Sequence, residues 1–132
     1  MLLVYLSAAK TTDNRSILRT EIIHNASKHS LTQLSPERDV KNAKLISLEK
    51  ALKSIPWRKE SVTVFLNDDQ LYKEYTSHSF KNEHWPSVLS CQDSFALVIS
   101  FRNKGVLSEF LEEKLEKDIS ESPYFLGESM LY

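Results

Sequence analysis

At 132 residues, with 41% hydrophobic and 27% charged side chains and a net charge of −1, the chain has the make-up of one ordinary globular domain. Two glycines leave no room for a Gly-rich phosphate loop, and no apolar run approaches the ~18 residues of a membrane span. The single cysteine, Cys91, excludes an internal disulfide and fits a reducing, cytoplasmic setting.

The opening Met1-Leu2-Leu3-Val4-Tyr5-Leu6 is too short for a signal h-region and lacks a basic lead. Residues 1–9 therefore read as a buried strand. Lys10 to Asn14 is a polar break with Asp-Asn turn chemistry. Ser16 to His24 reads as a second strand, with β-branched bulk from Ile17, Ile22 and Ile23. A turn at 25–28 leads to a third strand, His29 to Leu34. Its sequon Asn25-Ala26-Ser27 carries no weight without a secretion signal. Three successive strands with short breaks make an antiparallel meander.

Next, Asp39 or Asn42 is placed to cap a helix. Leu45, Leu48, Leu52 and Ile55 form its apolar stripe, with Lys41, Lys44, Lys50 and Lys53 off it, and Pro56 ends it. A strand follows at Val62–Leu66, and then a helix at Gln70–Tyr75 with Asp68 or Asp69 near its positive end. Residues 77–82 read as a loop. Trp85 to Cys91 suggests a short helix opened by Pro86. Ser94 to Phe101 reads as a buried strand and 102–105 as a turn. Val106, Phe110, Leu111, Leu115 and Ile119 give the stripe of a last helix. The order β-β-β-α-β-α-(α)-β-α implies a mixed sheet with helices on its faces.

This order and its spacings resemble the ribonuclease H-like fold over nearly the whole chain. Leu66-Asn67-Asp68-Asp69-Gln70-Leu71-Tyr72 resembles the family's strand-end segment, with Asp68 at the catalytic aspartate. Leu45, Leu48, Leu52 and Ile55 match the spacing of its first helix. His84-Trp85 is similar to the opening of a later helix, and Ile99 to Gly105 to a strand and its following loop. The resemblance implies a five-stranded mixed sheet with helices on both faces. It bounds the domain at residues 1–122, with an apolar tail at 123–132.

Enzymes of this family work through two divalent cations, usually Mg²⁺, held mainly by carboxylates. The resemblance puts Ser7 at the first-strand acid, Lys44 at the first-helix acid and Asn103 at the loop histidine. Only Asp68 and Glu113 remain as residual catalytic or metal-binding candidates. An ammonium at position 44 opposes a dication, so the expectation is a non-catalytic scaffold without a cofactor. A Lys44–Asp68 ion pair then crosses the old site. The alternative is a residual Mg²⁺- or Mn²⁺-dependent nuclease, rebuilt with Asp69, Asp13 or Asp39.

Other constellations are weaker. His24, His29, His78, His84 and Cys91 have no zinc-like spacing, and Cys91 lacks a nucleophile turn. Residues 1–60 carry 11 Lys/Arg against 6 Asp/Glu, whereas residues 105–132 carry 2 against 7. The basic half offers Lys41, Lys44, Arg58 and Arg102 from the next segment as phosphate contacts, and Trp57 and Trp85 as stacking surfaces. A pI near 6.4 weighs against a dedicated nucleic-acid domain. The tail, with Tyr124, Phe125, Leu126, Met130, Leu131 and Tyr132, packs on the domain or on a partner, a second copy included. The sequence thus points to a binding or adaptor protein acting on a protein or nucleic-acid complex, away from membranes.

Overall fold

The computed structural model describes residues 2–11, 13–55 and 60–121, with side chains described as far as Lys117. The meander consists of β1 (Leu2–Lys10), β2 (Ser16–His24) and β3 (Ser27–Ser35). Then come α1 (Val40–Ser54), β4 (Ser61–Phe65), α2 (Asp69–Thr76), α3 (Trp85–Ser94), β5 (Val98–Arg102) and α4 (Val106–Glu121). The sheet order is β3-β2-β1-β4-β5. The β1–β2 and β2–β3 pairs are antiparallel, and the β1–β4 and β4–β5 pairs are parallel. Hairpins allow the first kind of pairing, and each parallel pair needs a helical crossover.

Alternation along β1 sorts the two faces. Leu2, Val4 and Leu6 join Leu45, Leu48, Leu52 and Trp85 in the main core, so α1 and α3 cover this face. On the other face Ala9, Ile17 and Leu34 meet Leu115 of α4. Each fully buried leucine of α1 contributes about 2 kcal/mol. Asp39 caps α1 by accepting the Lys41 N–H at 2.8 Å. Among the described residues no helix is long and apolar enough to cross a membrane.

Four expectations change. Helix α3 runs on to Ser94, and Ala96 takes a left-handed turn (φ 54°), so β5 starts at Val98 rather than Ser94. Lys44 lies on the buried side of α1 with 3% exposure, one turn before Leu48, although its charge suggested solvent. Val106 and Phe110 are 88% and 59% exposed, so they leave the α4 stripe, and Ser108, Leu111 and Leu115 form the buried line. Trp85 is fully buried, edge-on to Phe80 and Phe101, and cannot stack on a base. Trp57, Arg58 and the tail at 123–132 lie outside the described residues.

Candidate functional site

Five elements converge where β4 ends. Leu66 still pairs with β5, donating its N–H to the Arg102 carbonyl at 2.9 Å. Asn67 then adopts φ 48°, a left-handed conformation that asparagine tolerates better than most residues. Its N–H donates to the Asn103 carbonyl, and its own carbonyl accepts from Lys44 Nζ at 3.0 Å. Asp68 returns to an extended backbone and caps α2, its Oδ1 accepting the Leu71 N–H at 2.9 Å. Its Oδ2 stands 3.9 Å from Lys44 Nζ. The side-chain amide of Asn67 donates to Glu112 Oε2 on α4.

The Lys44–Asp68 pairing expected from the resemblance is therefore present. The shortest Lys44 contact is instead the strand-end carbonyl. Burial pushes the Lys44 pKa down, and the carboxylates of Glu112 and then Asp68 pull it partly back. Glu112 moves the opposite way: burial pushes its pKa up, against the pull of the Lys44 ammonium. The α4 partner is thus Glu112, whereas Glu113 is exposed. Both acids, with Asp69 and Glu109, line a cleft of about 370 Å³ on the α4 side of the junction. On the α1 side a second cleft, about 520 Å³, is lined by Lys10, Arg38, Lys41, Asp39 and Asp68.

The remaining candidates scatter. Ser7 is fully buried, and its hydroxyl donates to the Arg19 carbonyl at 3.2 Å. Asn103 donates its side-chain amide to Asp69 Oδ1 at 2.6 Å, which occupies one oxygen of that carboxylate. Asp39 is committed to its cap, and Asp13 pairs with Arg15 at 2.6 Å. Lys41 is half-buried at the basic cleft, and Arg102 is exposed at the end of β5. Lys44 points its ammonium inward and is closed to an outside phosphate. Cys91 is buried on α3, its thiol donates to the Ser87 carbonyl at 3.5 Å, and burial pushes its pKa up. Asn67 and Glu112 are the site residues the sequence reading missed. An asparagine closing a strand before an N-cap aspartate is the signal that points to the first.

A two-cation centre needs several carboxylate oxygens converging without a fixed cation between them. Here Lys44 Nζ stands in that space, and Ser7 supplies a hydroxyl bonded elsewhere. Among the described residues no group of three or more His, Cys, Asp or Glu side chains is placed to hold a metal ion. The donor set does not fit the pair of divalent cations that the fold family uses.

No family model matches the sequence, and no curated protein matches it. Solved structures do. The native protease–reverse transcriptase of prototype foamy virus is similar at 16% identity and a TM-score of 0.52, over 93% of this chain and 21% of that one. A foamy viral protease–reverse transcriptase in complex with dsDNA is similar at 13% identity and a TM-score of 0.51, over 92% of this chain and 93% of that chain. This chain thus spans about a fifth of the native viral protein's length. With the 3-2-1-4-5 strand order and helices on both faces, these likenesses show that the chain has a ribonuclease H-like fold.

Proposed function

We propose that this protein is a non-catalytic binding or adaptor module on a ribonuclease H-like scaffold, acting on a protein or nucleic-acid complex. One observation carries the reading. The buried Lys44 ammonium is bonded to the Asn67 carbonyl, with Asp68 and Glu112 as its counter-charges. A fixed ammonium about 4 Å from a dication opposes it by ~8 kcal/mol at an effective dielectric constant of ~20. The junction supplies its own cation, and the polar network is spent on joining α1, β4 and α4. In this reading Ser7, Lys44 and Asn103 mark a catalytic set that has been lost.

The basic cleft favours an anionic ligand within the same reading. Lys10, Arg38 and Lys41 come from β1, the loop before α1 and α1 itself, and they open on one cavity. Asp39 and Asp68 line it too, so cations outnumber carboxylates three to two. Asp39 is engaged in its helix cap and Asp68 stands beside Lys44, which leaves the cations to meet a phosphate backbone whose binding weakens steeply with salt. The alternative, a residual divalent-metal nuclease, needs Asp68 freed from Lys44 and from its cap.

A nuclease assay with Mg²⁺ and Mn²⁺ on hybrid, single-stranded and duplex substrates tests the main claim. No cleavage is expected. Cleavage that disappears in Asp68→Asn overturns the non-catalytic reading. Gel retardation of labelled nucleic acid, lost on raising salt and weakened by Lys41→Glu, is the result expected of the basic cleft. Absence of retardation at low salt leaves a protein complex as the target.

A further inference from the structure

Half of one sheet face is uncovered by the described helices, and the chain carries a segment suited to it. Helix α4 is the described helix on that face. Its N-terminal end sits over the Tyr5–Phe65 stack, so close that a Cβ on Gly105 would lie 2.8 Å from Phe65. Leu115 then packs at Ala9, Ile17 and Leu34, so α4 crosses from β4 toward β2 and β3 along one end of the sheet. Toward the other end, Ile23, Leu3 and Thr63 stand side by side in register, each half-buried, and Val98 is 65% exposed beside them.

We propose that residues 123–132 fold back in cis across this open half-face. Helix α4 ends at Glu121, six residues or ~9 Å beyond Leu115 on the β3 side. Ten extended residues span ~33 Å, and crossing from β3 to β5 takes ~19 Å. The segment therefore reaches every strand. Tyr124, Phe125, Leu126, Met130, Leu131 and Tyr132 supply apolar cover for Leu3, Ile23 and Val98, over which no described helix lies. Glu128 is its one charge. The β2–β3 side of the same face carries Arg19 and Lys28 against the buried Glu21, which leaves one cation for Glu128.

The test uses the full chain with a nitroxide on Ser129→Cys; Cys91 is buried and escapes labelling. The expected result is loss of amide signal at Leu3, Ile23 and Thr63, with Leu45 and Leu48 on the opposite side of the sheet unaffected. A mixture of isotope-enriched chain without the label and spin-labelled chain without enrichment reports contacts between copies alone, and its spectrum should stay unchanged. Signals on the open face that survive in the labelled chain overturn the proposal. Signals lost in the mixture also overturn it, because they assign the face to a second copy.

Discussion

Lys44 and Glu74 are both charged and both buried, yet the chain treats them differently. Glu74, on α2, directs one oxygen at three donors: Lys81 N–H at 3.0 Å, Asn82 N–H at 3.1 Å and the Trp85 indole N–H at 3.2 Å. It ties the 81–82 loop and α3 to α2, and every contact serves the fold. Lys44 has one short bond, to a strand-end carbonyl, and its nearest Asp68 oxygen is 3.9 Å away. Its counter-charges come from separate elements that converge only because the strand stops there. A charge with several short hydrogen bonds on one oxygen behaves as a rivet. One held by distributed charge marks a place where the fold brings ionisable groups together for another reason.

The largest expected effect follows from the rivet. Glu74→Ala strands the Asn82 N–H and the indole N–H of the fully buried Trp85, while the Lys81 N–H keeps the Ser79 carbonyl at 2.9 Å, and it should cost about 3 kcal/mol in urea unfolding. A loss below ~1 kcal/mol would mean that water replaces the carboxylate and that the contrast with Lys44 is false. Gly105→Ala comes next. Its Cβ would meet Phe65 at 2.8 Å and Tyr5 at 2.9 Å, pushing α4 off the sheet at a cost of about 2 kcal/mol. It should also loosen the Asn67–Glu112 bond, which the side-chain amide shift of Asn67 would report.

Much of this was legible in the sequence, and most of the failures share one cause. The leucines of α1 fixed its buried face, and the strand–aspartate–helix passage at 62–72 located the junction. The α4 stripe mixed two lines: Leu111 and Leu115 are buried as expected, whereas Val106 and Phe110 are not. Val106, Phe110 and Glu113 lie along one line of a helix, and Ser108, Leu111, Glu112 and Leu115 along the other. With 100° between neighbours, the apolar residues fall on both lines and hydrophobicity alone does not separate them. A buried serine and a half-buried glutamate carry no apolar signal, so Glu112 was hidden and Glu113 stood in for it. Lys44 was hidden in the same way. Only the resemblance, which set a lysine at an acid's position, pointed inward. Asn67 depends on backbone torsion, which side-chain periodicity does not report.

The smaller effects probe Lys44 itself. Lys44→Met should cost only about 1 kcal/mol, since its loss leaves the Asn67 carbonyl unpaired while Asp68 keeps the Leu71 N–H and Glu112 keeps the Asn67 amide. A cost as large as that of Glu74→Ala would make Lys44 a rivet too. The pH dependence is the finest discriminator. Lys44 is shifted below 10.5 in the folded chain, so the unfolded chain holds more protons on it in the alkaline range. Stability should therefore gain a rising contribution as pH climbs toward 10.5. Glu112 is shifted above 4.5, so the folded chain holds more protons there, and its contribution falls as pH rises past 4.5. Unfolding curves for the wild type and Lys44→Met across both windows separate the two groups. The variant should lose the alkaline rise. Its acid-side fall should still begin near 4.5 but run on to higher pH and go deeper, because Glu112 has lost the ammonium that held its folded-state pKa down. An alkaline rise that persists in Lys44→Met would place the buried charge on another group.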